Sequence, residues 1–218
     1  MRMDSFLAER LEKYTGWLEK GKIDYSSKVI PVNGSLTRTQ WVLPSQQVIE
    51  LLKSVEVIAL ADCVCRSHYN NCGNPRNVCL LLERYGEKAI AAGDAARITH
   101  QEAERVLEIA DKHGLVHLSL YRPDHRLYAL CSCCPCCCHD LRLLLEHGQK
   151  HLVVHSDYIA AVDENLCTHC GICVQRCAFG ARFEEKDRVG FAPRACFGCG
   201  LCAVACPGEA ITMVLRRT

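Results

Sequence analysis

The chain has 218 residues, and its 26 lysines and arginines balance its 25 aspartates and glutamates. This balance argues against a nucleic-acid partner, because nucleic-acid-binding proteins carry a clustered basic excess. No apolar run is long enough to span a bilayer, and acidic residues stand where a secretion signal needs its apolar stretch. We therefore expect a cytoplasmic protein without a membrane span, whose 18 cysteines stay reduced and bind metal rather than form disulfides.

The first part of the chain, residues 1–152, predicts a cysteine-rich α/β domain. Apolar residues at helical spacing predict an amphipathic helix over residues 1–20. Residues 28–43 contain proline, asparagine and glycine and are predicted to form a loop. A helix is expected over residues 44–54, beginning at a proline.

Further along the domain, the β-branched apolar run 55–61 predicts a buried strand. Thr99 and Glu102 have the spacing of a capping box and begin an amphipathic helix. Residues 115–130 predict a β-hairpin, and residues 139–146 a short helix. A helix followed by a β-hairpin also occurs at the end of winged-helix DNA-binding domains. This helix has as many acidic as basic residues, which favours a small packing unit over a DNA-binding one.

The end of the chain contains an internal repeat of four cysteines. The pattern Cys-x-x-Cys-Gly-x-Cys-x-x-x-Cys begins at Cys167 and again at Cys196, 29 residues later. A repeat of this kind is one supersecondary unit used twice. We place the boundary of this second domain, residues 156–218, near residues 151–156, and predict an α+β fold class for the whole chain.

The spacing of these cysteines predicts two [4Fe–4S] clusters. Three closely spaced thiolates surround one concave loop, and the fourth cysteine of each motif serves the other cluster in two-cluster ferredoxins. Zinc also binds Cys-x-x-Cys pairs, but zinc sites use two well-separated pairs rather than three cysteines in one loop. The predicted ligands are Cys167, Cys170, Cys173 and Cys206 for cluster I, and Cys196, Cys199, Cys202 and Cys177 for cluster II.

On these motifs, residues 156–218 resemble the two-cluster bacterial ferredoxin family. That family has proline after the fourth cysteine of each motif. Pro207 keeps this feature, whereas Ala178 follows Cys177. Acids and bases balance within the module, while free bacterial ferredoxins resemble one another in being acidic. We therefore expect the module to be held against a fixed partner, such as its own N-terminal domain.

Ten further cysteines lie in the N-terminal domain, in two groups. The first group follows the strand 55–61, where Cys63 and Cys65 would share a strand face and the next two cysteines lie in a loop rich in glycine and asparagine. The second group precedes a helix, whose N-terminus favours thiolates. His68 and His139 stand beside the groups as further candidate ligands. The predicted metal-binding cysteines are Cys63, Cys65, Cys72, Cys79, Cys131, Cys133, Cys134, Cys136, Cys137 and Cys138.

These N-terminal cysteines also carry a resemblance. The segments 62–66, 98–103, 114–117 and 131–138, with Cys72 and Cys79, are similar to dicluster-ferredoxin iron–sulfur proteins of anaerobic bacteria and archaea. The resemblance implies an iron–sulfur role and no particular reaction. Ten thiols suffice for one or two further iron–sulfur clusters.

We also expect the two N-terminal groups to meet in space. The second strand of the hairpin 115–130 leads into Cys131 as the strand 55–61 leads into Cys63. If these strands pair, both groups leave the same end of one sheet. Because adjacent cysteines on an extended chain point to opposite sides, the run from Cys131 to Cys138 is expected to share a metal site with the first group.

Two main functions follow from this sequence. One is an electron-transfer protein, or a subunit of a redox complex, that relays single electrons through the C-terminal clusters to or from N-terminal iron–sulfur centres and a partner protein. The other is a reductase whose N-terminal iron–sulfur centre binds and reduces a substrate. A redox-sensing regulator on DNA would need a basic face that the sequence lacks. No nucleotide-binding fingerprint is evident.

Overall fold

A computed structural model describes residues 3–31, 52, 54–122 and 126–216. The chain forms one large sheet with helices packed on it, followed by a smaller C-terminal module. The predicted helix 44–54 lies outside the described residues, apart from the buried and helical Leu52. Within the described ranges, no helix has the length and apolar character needed to cross a bilayer.

The large sheet has seven strands in the order β4-β2-β3-β6-β5-β1-β7. All neighbouring strands are antiparallel except β1 and β7, which are parallel. The strands are β1 (Ser27–Ile30), β2 (Ile58–Asp62), β3 (Asn77–Leu82), β4 (Ala95–Ile98), β5 (Val116–Tyr121), β6 (Leu127–Cys133) and β7 (Val153–Val154).

The predicted loop over residues 28–43 is wrong at its start, because Ser27–Ile30 is strand β1. These residues pair with β5 along their whole length, and alternate residues are buried. The proline, asparagine and glycine that suggested a loop follow this strand and do not interrupt it. Residues 32–43 lie outside the described part of the chain.

The helices with described bounds that accompany the sheet are α1 (Ser5–Glu19), α2 (Val64–Tyr69), α3 (Glu83–Ala91), α4 (His100–Lys112) and α5 (His139–Leu145). The predicted N-terminal helix is α1, and Asp4 accepts a hydrogen bond from the Leu7 amide at its start. The predicted capping box is present at α4: Thr99 accepts from the Glu102 amide, and Glu102 accepts from the Thr99 amide. The hairpin predicted over 115–130 is the antiparallel pair β5–β6.

The strand predicted over residues 55–61 is β2, but it does not pair with the second strand of the hairpin. Strand β3 lies between β2 and β6 and is antiparallel to both. Strands β2 and β6 therefore run in the same direction and end at the same edge of the sheet. Both cysteine groups begin at that edge, with β3 and its Cys79 between them.

The C-terminal module consists of two antiparallel strand pairs and two single-turn helices. Strand β8 (Tyr158–Val162) pairs with β11 (Ile211–Leu215), and β9 (Arg182–Glu185) forms a hairpin with β10 (Arg188–Phe191). Helices α6 (Ile172–Gln175) and α7 (Leu201–Val204) occupy equivalent places in the two halves of the repeat.

The module packs tightly on the N-terminal domain. Buried residues from both, including Leu141 of α5 and Leu201 of α7, form one apolar core. Phe197 stacks between His155 and Phe179, with ring centroids 4.1 and 4.5 Å apart. The neutral module is thus held against its own N-terminal domain.

Candidate metal centres

The first N-terminal centre is a compact group of four thiols whose sulfur atoms all lie within 4.8 Å of one another. One thiol follows α2, and the other three come from the turn between β6 and α5. Asn74 donates a hydrogen bond to the sulfur of Cys72 over 3.4 Å, and Asn71 donates to the Cys136 carbonyl over 2.9 Å. We call this group the four-thiol set: Cys72, Cys134, Cys136 and Cys137.

The other six N-terminal thiols form a ring, in which each thiol lies next to two others of the group. The sulfurs of Cys79 and Cys131, on the paired strands β3 and β6, are 3.9 Å apart. We call this group the six-thiol ring; in order around the ring it consists of Cys63, Cys79, Cys131, Cys133, Cys138 and Cys65.

The pKa values alternate around the ring. Hydrogen bonds from neighbouring thiols lower the pKa of Cys63 to about 2 and of Cys131 to about 5, and they lower that of Cys138 well below its usual value. The same bonds raise the pKa of the three thiols between them, Cys65, Cys79 and Cys133. Six thiols in contact do not all ionise, and each protonated thiol donates to thiolate neighbours.

The alternation of side chains along β6 explains how one cysteine run supplies both groups. Cys131 and Cys133 point to the same face of the strand and enter the ring. Cys134 follows the strand and enters the four-thiol set, and its carbonyl accepts a bond from the Cys138 amide over 2.9 Å. Cys138 therefore turns back toward the ring. As expected, the two N-terminal cysteine groups of the sequence meet in space. Each contributes thiols to both the four-thiol set and the six-thiol ring.

A buried arginine lies near both the four-thiol set and the six-thiol ring. Arg66 is 1% exposed and donates to the carbonyls of Ser132 and Pro75. Burial lowers the pKa of Arg66, but a hydrogen bond to Cys134 and the charge of Cys63 raise it above its usual value overall. Its Nε atom has no hydrogen-bond partner.

The two candidate histidines differ in their surroundings. The Nδ1 atom of His139 lies 2.9 Å from the Cys65 sulfur, and its Nε2 atom lies 2.7 Å from the Tyr14 hydroxyl. His68 instead stacks on Phe6 with ring centroids 4.3 Å apart.

Two details of the first cysteine group were wrongly predicted. Cys63 is the N-cap of α2 and Cys65 lies within that helix, so they do not share a strand face. The reason is that β2 ends at Asp62. Cys79 lies on β3 rather than in a loop, since the apolar alternation of that strand begins immediately after the glycine- and asparagine-rich segment.

In the C-terminal module, each half of the repeat has the same turn after its second cysteine. Gly171 and Gly200 begin α6 and α7 with φ of 77° and 80°. An L-residue strongly disfavours this left-handed conformation, whereas glycine adopts it freely. The turn directs the first three cysteines of each motif toward one cavity.

The inner cavity lies beside the N-terminal domain. Three of its cysteines are buried, and burial raises the pKa of Cys202 to about 11. The fourth cysteine of the first motif, Cys177, lines this cavity with the second motif. We call these residues the inner set: Cys177, Cys196, Cys199 and Cys202.

The outer cavity is lined by the remaining cysteines of the module. Here the fourth cysteine of the second motif, Cys206, joins three cysteines of the first. Cys170 is exposed, and the adjacent Leu166 is 52% exposed. We call these residues the outer set: Cys167, Cys170, Cys173 and Cys206.

A second buried arginine lies in the module. Arg182 lines the inner cavity, and its guanidinium carbon lies 4.1 Å from the ring centroid of Phe191. Its Nε and Nη2 atoms are buried without a hydrogen-bond partner. A buried cation with unpaired donors is costly unless an anion faces it. These donors and the four thiols fit an anionic metal–sulfur cluster.

Comparison with known proteins agrees with this geometry. Residues 160–183 and 191–212 match the family model described as 4Fe–4S binding domain, and these ranges contain all eight cysteines of the inner and outer sets. The C-terminal region is a 4Fe–4S ferredoxin-type domain.

The chain covers less than half the length of each of the curated proteins that it resembles. The chain is 37% identical over 62 residues to the archaeal-type glutamate synthases [NADPH] of Thermotoga maritima and Thermotoga sp. strain RQ2, covering 28% of this chain and 12% of theirs. It is 33% identical over 87 residues to hydrogenase-4 component A of Escherichia coli K12, covering 38% of this chain and 41% of that protein.

Sequence reasoning missed the two buried arginines. Arg66 directly follows Cys65, and Arg182 follows the first motif at the start of β9. An arginine beside a cysteine motif was the available signal, but its burial follows from packing that no local pattern encodes. The ligand cysteines of the ferredoxin-type domain, by contrast, can be predicted from the sequence, because their spacing alone fixes the loop.

Proposed function

We propose that the protein is an iron–sulfur electron-transfer protein, or a subunit of a redox complex. It relays single electrons through two C-terminal [4Fe–4S] clusters to or from N-terminal iron–sulfur centres and a partner protein. The observation that carries this proposal is a shared core: Cys199 of the inner set is buried in the same apolar cluster as Cys133 and Cys138 of the N-terminal domain.

The eight C-terminal cysteines hold the two clusters with crossed ligation. The lining of each cavity supports the crossing, because Cys177 faces the inner cavity and Cys206 the outer one. Such clusters, when bound, gain or lose one electron with little change of structure. The protein's part is to bury the inner set, expose the outer set and place a cation, Arg182, beside the inner cavity.

The four-thiol set holds a third [4Fe–4S] cluster. Four soft thiolates in one small volume are the ligands that iron–sulfur clusters prefer. Burial raises the pKa of Cys72, but the Asn74 amide and neighbouring thiols outweigh it and lower the pKa to about 7. Burial raises the pKa of Cys136 and, to about 11, that of Cys137, so a metal that binds this set must displace their protons.

The outer end of the ferredoxin-type domain faces the partner protein. Ile172 and Val204 add exposed apolar side chains beside the exposed Cys170 and Leu166. The relatives named for a hydrogenase component and for glutamate synthases support assembly into a redox complex. The cytoplasm, where thiols stay reduced, suits all of these sites.

One observation favours the reductase alternative. A substrate-reducing centre needs an iron position without a cysteine ligand, and His139 lies beside Cys65. Replacing His139 with alanine discriminates the two functions. In an electron-transfer protein the variant keeps its iron content, whereas loss of iron with loss of a substrate-dependent oxidation of the reduced protein would favour the reductase.

A reductive titration tests the proposed function. The full chain is reconstituted anaerobically with iron and sulfide and titrated with a one-electron reductant, while EPR spectra follow each cluster. We expect uptake of at least three electrons per chain, with signals from C-terminal and N-terminal clusters. Uptake of zinc in place of iron, or of two electrons with no N-terminal signal, would refute the proposal.

A further inference from the structure

We propose that the six-thiol ring is a second, separate N-terminal iron–sulfur site, and that it lies between the ferredoxin-type domain and the four-thiol set. This inference rests on the proposed function, in which the four-thiol set already holds one N-terminal cluster. It assigns an iron–sulfur cluster to the six cysteines that are needed neither by the two ferredoxin clusters nor by that N-terminal cluster.

The ring is structurally separate from the four-thiol set. Cysteines adjacent in sequence belong to different groups. Cys133 and Cys138 belong to the ring, whereas their neighbours Cys134 and Cys137 belong to the four-thiol set. Arg66 interacts with Cys134 of the four-thiol set and with Cys63 and Cys133 of the ring, so its buried guanidinium lies near both groups. One cluster bound by all ten thiols would have to accommodate this guanidinium.

The chemistry of the ring fits a soft metal. The ring interior is desolvated, and Cys63, Cys133 and Cys138 are each 5% exposed. The sulfurs of Cys79 and Cys131 are 3.9 Å apart, so the thiols are close enough to share one centre. Iron in sulfide-bridged clusters prefers such soft sulfur ligands.

The ring also contains more ligands than one cubane uses. A [4Fe–4S] cluster takes four cysteines, whereas six thiols lie next to one another here. Disulfides do not explain them, because the sulfurs of Cys79 and Cys131 are 3.9 Å apart and all 18 cysteines are free.

We infer the position of the ring from the way the cysteines are divided among three apolar cores. The first contains Cys196 and Cys202 of the inner set. The second contains Cys199 of the inner set together with the ring cysteines Cys133 and Cys138. The third contains Cys134 and Cys137 of the four-thiol set. The ring therefore stands between the inner set and the four-thiol set, and an electron leaving the inner cluster reaches the ring first.

The test compares two full-length variants, each reconstituted anaerobically with iron and sulfide. Cys79→Ser, Cys131→Ser and Cys133→Ser together leave the ring three thiols, fewer than a cubane takes, and Cys134→Ser with Cys136→Ser opens the four-thiol set as the control. We expect each variant to lose iron and one EPR signal, a different signal in each case, while the ferredoxin signals remain. Unchanged iron in the ring variant, or loss of the same signal from both variants, would overturn the inference.

The unaltered protein gives a second measurement that does not depend on the folding of a variant. Three cubanes account for about 12 irons per chain. We expect more than this number, with acid-labile sulfide in proportion. A value of about 12, with the ferredoxin and four-thiol signals present, rejects the ring as an iron site and leaves the proposed function intact. Absence of those signals would instead reject the proposed function itself.

Electron transfer tests the position of the ring. In the ring variant, the four-thiol cluster should still be reduced at equilibrium by a small mediator. The fast phase of its reduction through the ferredoxin-type domain should be lost, as followed by freeze-quench EPR. An unchanged fast phase would show that the ring does not lie on the path.

Discussion

Two buried arginines stand beside the proposed clusters, one in each domain. Arg66 lies near both N-terminal thiol groups, and Arg182 lines the inner cavity. Arg66 has one buried guanidinium nitrogen without a hydrogen-bond partner in the protein, and Arg182 has two. A nearby positive charge stabilises the reduced, more negative form of a cluster, so both residues should raise reduction potentials.

Replacing Arg66 with methionine should lower the reduction potential of the N-terminal clusters. A charge removed from a partly desolvated site corresponds to roughly 50 to 100 mV for a one-electron couple. EPR-monitored potentiometry measures the shift. Arg66→Lys should shift the potential less, and Arg105→Met, on the exposed face of α4, should leave it unchanged. Equal potentials in the Arg66→Met variant and the original protein would contradict this role.

Replacing Arg182 with methionine should lower the potential of the inner ferredoxin cluster by a similar amount, roughly 50 to 100 mV. The potentials of the N-terminal clusters should change less, since no N-terminal thiol lines the inner cavity with Arg182. Arg188→Met is the matched control, because its side chain is 70% exposed on the adjacent strand. A shift confined to the N-terminal clusters would contradict the assignment of Arg182.

At the scale of elements, the sequence predicted those features that depend on residues close together in the chain. The capping box, α1, α4 and the β5–β6 hairpin follow from spacing, caps and turn residues within a few positions. The order of strands in the sheet does not. Strand β3 lies between β2 and β6, and this pairing depends on side-chain packing across distant segments.

The same contrast separates the two kinds of cysteine site. Three cysteines of each ferredoxin motif lie in one turn, so their spacing predicts their meeting. The four-thiol set joins Cys72 to a run more than sixty residues away, through contacts such as Asn71 to the Cys136 carbonyl. Sequence predicted that the groups meet, but it gave no basis for dividing the ten thiols into four and six.

The capping box of α4 offers a test away from the metal sites. Thr99→Ala removes the acceptor for the Glu102 amide, and such losses cost about 1 kcal/mol. Hydrogen exchange of amides in the first turn of α4 should accelerate roughly fivefold. The amides of α3 serve as the internal control. Unchanged exchange in α4 would mean that the cap does not stabilise the helix.

At the scale of the molecule, the proposed sites are ordered from an exposed end to a buried interior. Cys170 of the outer set is exposed, while three cysteines of the inner set are buried. The apolar cores then continue through the ring to the four-thiol set. This order suits entry of electrons at the outer cluster and passage into the N-terminal domain.

The order predicts a sequence of cluster loss. On exposure of the reconstituted protein to air or to an iron chelator, the outer cluster should be lost before the inner one, because solvent reaches its ligands. EPR spectra of samples taken over time distinguish the two when compared with a Cys170→Ser variant, which alters only the outer site. Simultaneous loss of both clusters, or earlier loss of the inner one, would contradict the order.

The central claim is that electrons pass between the ferredoxin-type domain and N-terminal iron–sulfur centres. The most direct measurement is freeze-quench EPR of the full chain after mixing with a reduced one-electron donor protein, alongside a Cys167→Ser, Cys196→Ser variant. We predict that the C-terminal signals rise first and then decline as an N-terminal signal grows, and that the variant's N-terminal signal grows much more slowly. Equal rates in both proteins, or no N-terminal signal in either, would contradict the account.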